Sequence, residues 1–246
     1  LADDEAVRLY EAVDNRTAFT GTVTLPPGCT GTRMPPGSQP EVDTTHILKT
    51  RSRLGPDGSV RWERPAVRRA VAKAAHAGLE IRQAMSLQDY RAYYQVYADT
   101  LDRWGDHATS RYPWTLFETG YAASERTPGA IRLWLATLGP AVVAGMWVFY
   151  WRENAYYWHS AVLRSHMKLR PMDLLVTAVT EHAAHNGFSS FDLMPSGGHT
   201  GVARFKEKFG AQRVPVHRLR RVRPLPAALA RGVARVRQLL PNPGSP

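Results

Sequence analysis

The chain has 246 residues, 43% of them hydrophobic, with seven Trp, ten Tyr and a formal net charge of +11. That is enough apolar material for one large core or two small ones, and with no run of eighteen apolar residues no membrane span is expected. Residues 201–246 hold eleven Lys or Arg against the single acid Glu207, a local +10 that leaves +1 for the other 200; this fits a polyanionic partner (RNA, a nucleotide-linked substrate or an anionic membrane surface) or else a merely solvated basic surface.

The opening Leu1-Ala2-Asp3-Asp4-Glu5 is acidic where a secretory leader carries a basic n-region, so no signal peptide is expected, and the first residue is not Met. Residues 1–13 suit a short helix. Residues 19–25 alternate as a strand, and residues 26–40, dense in Gly and Pro, read as a loop. Cys29, the single cysteine, permits no internal disulfide and fits a reducing, cytoplasmic setting. Residues 46–48 suit a brief strand. A basic helix is predicted over 61–77, with Pro65 compatible with its start, Gly78 as its stop, and Arg61, Arg64, Arg68, Arg69 and Lys73 along it. Residues 79–83 form the next strand.

A more regular unit follows. Ser86 caps a helix to about residue 103, Asp89 approximates a capping box, and Leu87, Tyr90, Tyr94, Val96 and Leu101 are its candidate buried positions. A second helix covers 112–124, and strands cover 131–138, 142–151 and 155–162. A helix over 171–185 presents Leu174, Leu175, Ala178, Val179, His182 and Ala183 on one face, with Pro171 and Asp173 suited to its first turn. A strand at 190–194 leads to a helix with Val202, Phe205 and Phe209 on its apolar side. The last strand, 213–222, contains Pro215 and is expected near an edge. Leu225, Leu229, Val233, Val236 and Leu240 make one stripe of a terminal helix, which either docks on the fold and leaves an arginine face for RNA or lies on an anionic membrane surface. The order from Ser86, α-α-β-β-β-α-β-α-β, predicts a mixed α/β (α+β) fold with helices on the faces of one sheet. GxGxxG, GxxxxGK[ST] and HExxH are absent, and His182 and His185 lack a third ligand, so no metal is expected.

The run from Tyr156 to Leu163, the segment 171–187 and the stretch FDLMPSGGHTGVARFKEKFG over 191–210 resemble the FemAB-like (FemXAB, BioF2-like) branch of the GNAT acyltransferases. The basic helix and strand over 68–81 are similar to the segment that precedes that branch's second domain. The resemblance implies a GNAT-type fold: a partial or reduced first GNAT-like domain over 1–84, a complete acyltransferase domain over 85–223, and a basic helix and tail over 224–246. It implies an enzyme that moves an amino acid from aminoacyl-tRNA to a small amine acceptor, a cell-wall precursor or specialised metabolite, with no resident cofactor. An acyl-CoA-dependent N-acyltransferase and a non-catalytic RNA- or membrane-surface-binding protein are the alternatives.

Residues 165–175, where an acyl-CoA enzyme of this kind presents a glycine-rich loop, contain no glycine, and Pro171 removes one N–H donor. Lys168 and Arg170 are the candidate donor-phosphate ligands there. The resemblance places Lys206 at the reacting centre, where an ammonium offsets charge on the carbonyl oxygen; a surface lysine is the plainer reading. Asp192 either orients substrate or makes a structural hydrogen bond. His159 is a base for the incoming amine or a hydrogen-bonded core residue. Ser196, Gly197 and Gly198 form an anion-holding nest or an ordinary turn. Tyr157, Trp147, Arg204 and Phe205 complete the candidate substrate site, with packing the competing use of the aromatic ones. No nucleophile stands out, as direct attack within a ternary complex requires none.

Overall fold

The computed structural model describes residues 20–25, 27, 38–108 and 111–222. In chain order these form β1 (Thr20–Thr24), β2 (Ser38–Lys49), α1 (Pro65–His76), β3 (Leu79–Gln83), α2 (Leu87–Trp104), α3 (Trp114–Arg126), β4 (Ile131–Leu138), β5 (Ala141–Trp151), β6 (Asn154–Val162), α4 (Pro171–His185), β7 (Ser190–Asp192), α5 (Thr200–Glu207) and β8 (Gln212–Val222). Cys29 and the stripe from Leu225 to Leu240 lie outside the described residues.

Two compact units result, one of residues up to Thr44 with those from Pro215 on, the other Thr45–Val214. In the smaller, β1 pairs antiparallel with β8, from Thr20 opposite Val222 to Thr24 opposite Arg218, and Arg218 Nη1 meets Asp43 Oδ2 at 3.1 Å. In the larger, the strands follow the order β2-β7-β6-β5-β4-β3. All neighbours there are antiparallel except β6 and β7. Residues 65–84, which the sequence reading groups with a first domain, belong to this larger unit, because β3 pairs along its whole length with β4.

Both faces of this sheet are covered, so its central strands are nearly continuous apolar runs rather than polar-apolar alternations. Alternate side chains serve opposite cores. Trp134, Ala136, Met146 and Val148 join Val67 and Ala74 of α1 and Leu175, Val176 and Val179 of α4. Leu133, Leu135 and Trp147 face Tyr90, Tyr93, Val96 and Tyr97 of α2 and Phe117 of α3. Of the expected α2 positions Tyr90 and Val96 are buried, Leu87, Tyr94 and Leu101 are half-buried, and Tyr93 and Tyr97 take the centre.

Local chemistry sets the boundaries. Ser86 Oγ accepts from Asp89 N at 3.2 Å, while Asp89 Oδ2 takes Met85 N at 2.8 Å, a capping box whose return bond reaches one residue further back. α1 begins at Pro65 rather than at residue 61, since the ring fits the first helical position but not the interior. β2 begins at Ser38, so the last part of the Gly/Pro-rich segment is strand and not loop. β7 ends at Asp192 instead of 194, because Met194 turns into a left-handed conformation, φ 62°, with its N–H on Asp192 Oδ1.

Close approach makes glycine necessary in α3. A Cβ on Gly120 would sit 2.1 Å from the Trp147 indole. Gly120→Ala is therefore expected to destabilise by about 1–3 kcal/mol, the scale for overpacking a filled core. Gly201→Ala in α5, where a Cβ meets nothing within 4 Å, should instead stabilise by roughly 0.5–1 kcal/mol. Urea unfolding of both variants checks the contrast; equal effects would remove the packing argument.

Candidate active site where two strands part

β6 and β7 pair over three residues only, Asn154–Tyr156 with Ser190–Asp192. β6 then continues to Val162, while the chain after β7 turns toward β2, Leu193 N donating to His46 O at 2.8 Å. Past that point the two adjacent parallel strands part at their carboxyl ends, the place where open α/β sheets bind ligands in a crevice.

The β6 wall is aromatic and uncharged. Register jumps from Trp147 opposite His159 to Val148 opposite Tyr157, so Trp158 is an extra residue in β6. The bulge breaks the expected alternation: Trp158 and His159 both turn toward the α2/α3 side, whereas Tyr157 packs on the other face against Phe191. His159 is edge-on to Tyr93, Tyr97, Tyr112 and Phe117, and its Nδ1 lies 2.7 Å from Tyr93 Oη. Burial pushes His159 down to about 4 and Tyr93 well up, so at neutral pH both are uncharged. The phenol and the neutral imidazole share this hydrogen bond in either tautomer. Trp147 is 2% exposed, and its Nε1 has no hydrogen-bond partner among the described residues.

The β7–α5 wall is charged. Asp192 is 4% and Lys206 3% exposed. Asp192 Oδ1 accepts from Thr45 Oγ1 and, at 2.7 Å, from Met194 N. Lys206 Nζ donates to Met194 O at 2.8 Å and Pro195 O at 3.0 Å, so it is not a surface lysine. Burial raises the Asp192 carboxyl above its usual range against the pull of Thr45, Met194 N–H and Lys206. His46 lies in the same cluster. Burial and then Lys206 hold its imidazole below the ordinary value, and its Nε2 is 3.5 Å from Glu207 Oε1, too long for a good hydrogen bond. The following turn carries Gly197 at φ 56° and Gly198 at φ 78°, with the Ser196 hydroxyl buried and, among the described residues, unpartnered.

Beyond the end of β6, a 3₁₀ turn, Arg164–Leu169, leads into α4. Lys168 and Arg170 are both exposed there. Pro171 occupies the first helical position, and the Asp173 carboxylate, 2% exposed, sits in the first turn in an ion pair with Lys208. Lys208 in turn lies 4.3 Å from the Phe205 ring centroid, and Phe205 packs on Phe209. Arg204 is exposed. Among the described residues no group of three or more His, Cys, Asp or Glu could hold a metal ion, and no helix is long and apolar enough to cross a membrane.

The structure thus gathers Asp192, Ser196, Gly197, Gly198 and Lys206 at one corner, while His159 lies among the α2 and α3 rings and Trp147 is buried in the core on that side, so packing is its use. Tyr157 faces the α1/α4 core, and Phe205 supports the Lys208–Asp173 pair. Sequence reasoning missed Thr45, His46 and Tyr93. The i,i+4 spacing of Tyr93 and Tyr97 on α2 was a usable signal; a three-residue strand around His46 offered none.

A family model described as Acetyltransferase (GNAT) domain matches residues 63–207. The chain belongs to this GNAT family of acyltransferases. No curated protein sequence matches it. A crystal structure of FemX superposes with a TM-score of 0.60 at 12% identity, over 85% of this chain and 74% of that one. The C-terminal domain of a putative lysylphosphatidylglycerol synthetase from Agrobacterium fabrum gives 0.56 at 16%, over 95% and 77%. L-PGS from Bacillus licheniformis gives 0.54 at 13%, over 94% and 69%. The GNAT fold and the resemblance to the FemXAB-like branch are borne out at the level of architecture.

In this GNAT chain His159 has a pH signature. Its folded form takes a proton only near pH 4 and its unfolded form near 6.5, so between those values the unfolded chain holds more protons and stability falls as pH drops. His182 is shifted over the same window. The urea midpoint should therefore decline from pH 6.5 to 4, and less steeply in His159→Gln, which keeps an acceptor for Tyr93. Identical slopes in the two proteins would show that His159 is not held neutral by the fold.

Proposed function

We propose that this protein is a cytoplasmic aminoacyltransferase that takes an aminoacyl group from aminoacyl-tRNA and forms an amide on a small amine acceptor. The observation that carries this is the first turn of α4. A pyrophosphate bound by a helix start needs open N–H groups and an unfilled positive end. Here Pro171 supplies no N–H, Asp173 N is taken by Arg170 O at 3.1 Å, and the Asp173 carboxylate already occupies the turn. That arrangement disfavours acyl-CoA and leaves room for a donor held elsewhere. The aminoacyl product in the name lysylphosphatidylglycerol synthetase, borne by a structure of like fold, agrees with an aminoacyl cargo.

In this reading the acceptor nitrogen attacks the ester carbonyl carbon. A C–N bond forms, the ester C–O bond breaks, and the amine proton leaves with the ribose oxygen or to solvent. His159, at about 4 with Nδ1 engaged by Tyr93, is a wall of the acceptor pocket and too weak a base to drive the step. N–H groups of the Ser196-Gly197-Gly198 turn face the developing oxyanion, and Lys206 is a positioning residue that fixes this turn through two carbonyls. Asp192 holds the other end of the turn. Acyl-CoA-dependent N-acylation is the second reading, favoured by the cations Lys168 and Arg170, which can take phosphates by side chain.

Incubation with a labelled, charged total tRNA pool and candidate amines tests the proposal. Label should enter an alkali-stable amide, and RNase should abolish it. Transfer of acetyl from acetyl-CoA with none from tRNA would establish the second reading instead. In the productive assay Lys206→Met should lower kcat by about 10²-fold with a smaller effect on KM, as when one stabilising donor is lost, together with a lower Tm. Arg204→Ala should change KM rather than kcat. An unchanged kcat in Lys206→Met would remove Lys206 from the machinery.

A further inference from the structure

We propose that the outward face of α1 is a nucleic-acid-binding surface that carries the phosphate backbone of the donor tRNA toward the crevice; this deepens, and rests on, the aminoacyl-tRNA reading. α1 contains Arg68, Arg69 and Lys73 and no acid, with Arg64 at its N-cap. Cations at a helix start oppose the macrodipole, and exposed helices ordinarily offset such charges with acids three or four residues away. None is present within α1; Glu63 and Glu80 lie outside it. The helix is held instead by its inner side, through Val67 and Ala74, both fully buried.

Arg69, Lys73 and His76 fall within an arc of about 60° on the opposite side at 100° per residue, and all three are exposed. Arg68 is turned back, its Nη1 donating to Trp62 O and Glu63 O at 2.7 Å each. Among the described residues Arg64, Arg69 and Lys73 enter no ion pair. Along that arc Arg69 to His76 spans about 10 Å at 1.5 Å per residue, with Arg64 in extended backbone just ahead of the helix, which suits an elongated polyanion better than one phosphate.

The line leads to the end of the sheet where the crevice opens. Just before α1, Trp62 Nε1 donates to Thr177 Oγ1 at 2.9 Å and Val60 N to Glu181 Oε1 at 3.0 Å, beside the middle and later turns of α4. Just after α1, a Cβ on Gly78 would lie 3.6 Å from Leu138, at the turn between β4 and β5. β6 finishes at that same end, where Leu163 N donates to Val143 O at 2.9 Å, and there Arg164–Leu169 presents Lys168 on the way to Arg170 and α4. A-form RNA is recognised through backbone phosphates and shape, which cationic side chains without base-reading partners can do. An anionic membrane is the weaker fit, because the exposed face of α1 has only Ala66, Ala72 and Ala75 between its cations and no bulky apolar anchor.

Fluorescence anisotropy of the full chain with charged tRNA, titrated with salt, tests the surface. Relative to wild type, Arg69→Gln/Lys73→Gln should bind more weakly and show a salt slope shallower by about 2, with unchanged Tm, a raised KM for charged tRNA and an unchanged kcat. If wild type binds and uses charged tRNA but the variant matches it in affinity and slope, this surface is wrong and the aminoacyl-tRNA reading stands. If wild type binds no tRNA, both fall. If the variant loses sedimentation with phosphatidylglycerol vesicles while keeping wild-type tRNA binding, the face is a membrane contact and the proposal is overturned.

Discussion

An ammonium group with 3% exposure needs a partner for each of its charges and donors, and the corner between β7 and α5 is organised by that requirement. Lys206 Nζ meets it with two consecutive carbonyls, Met194 O and Pro195 O, and with the nearby Asp192 carboxylate. For those carbonyls to point inward, the chain must leave the strand direction at once. Met194 is accordingly left-handed, and its N–H closes on Asp192 Oδ1. β7 can pair with β6 for three residues and no more. The crevice is thus a consequence of where one buried cation is satisfied.

The opposite wall follows the reverse logic. It excludes charge altogether, using a bulge to place Trp158 and His159 side by side among the α2 and α3 rings. A neutral imidazole hydrogen-bonded to a buried phenol needs no counter-ion, so this wall can be dry without leaving an unpaired charge. One side of the crevice therefore supplies oriented polar groups, and the other supplies a low-dielectric surface that strengthens them.

The order of elements from α2 to β8 was legible, because apolar period, prolines and glycines agree there: Pro171 starts its helix where expected, and the Ser86–Asp89 cap forms. Lys206, Asp192 and the Ser196 turn were legible as a group through one contiguous motif. What escaped was long-range. Thr45 and His46 meet Asp192 and Lys206 only through the pairing of β2 with β7, and nothing local to residues 38–49 encodes that partner. The bulge at Trp158 was equally silent, since a single extra residue leaves the apolar pattern intact while reversing which face each side chain takes. Lys206 could not be told from a surface lysine by helical period alone, because its long stem brings the charge back beneath the turn.

The aromatic wall also answers a question raised by the lack of a strong base. An amine attacks only when neutral, yet in water at pH 7 a primary alkyl amine, with a pKa near about 10, is overwhelmingly protonated. Burial at this wall carries His159 from 6.5 to about 4, so the wall disfavours positive charge. Under the proposed reading an acceptor amine seated against it is likewise disfavoured as a cation. Lowering its pKa from about 10 to roughly 8 leaves a useful fraction neutral at physiological pH. A hundredfold gain in the neutral form corresponds to about 2.7 kcal/mol. Under the proposed reading deprotonation is then accomplished by binding, and catalysis rests on holding the neutral amine against an ester carbonyl aimed at the Ser196 turn.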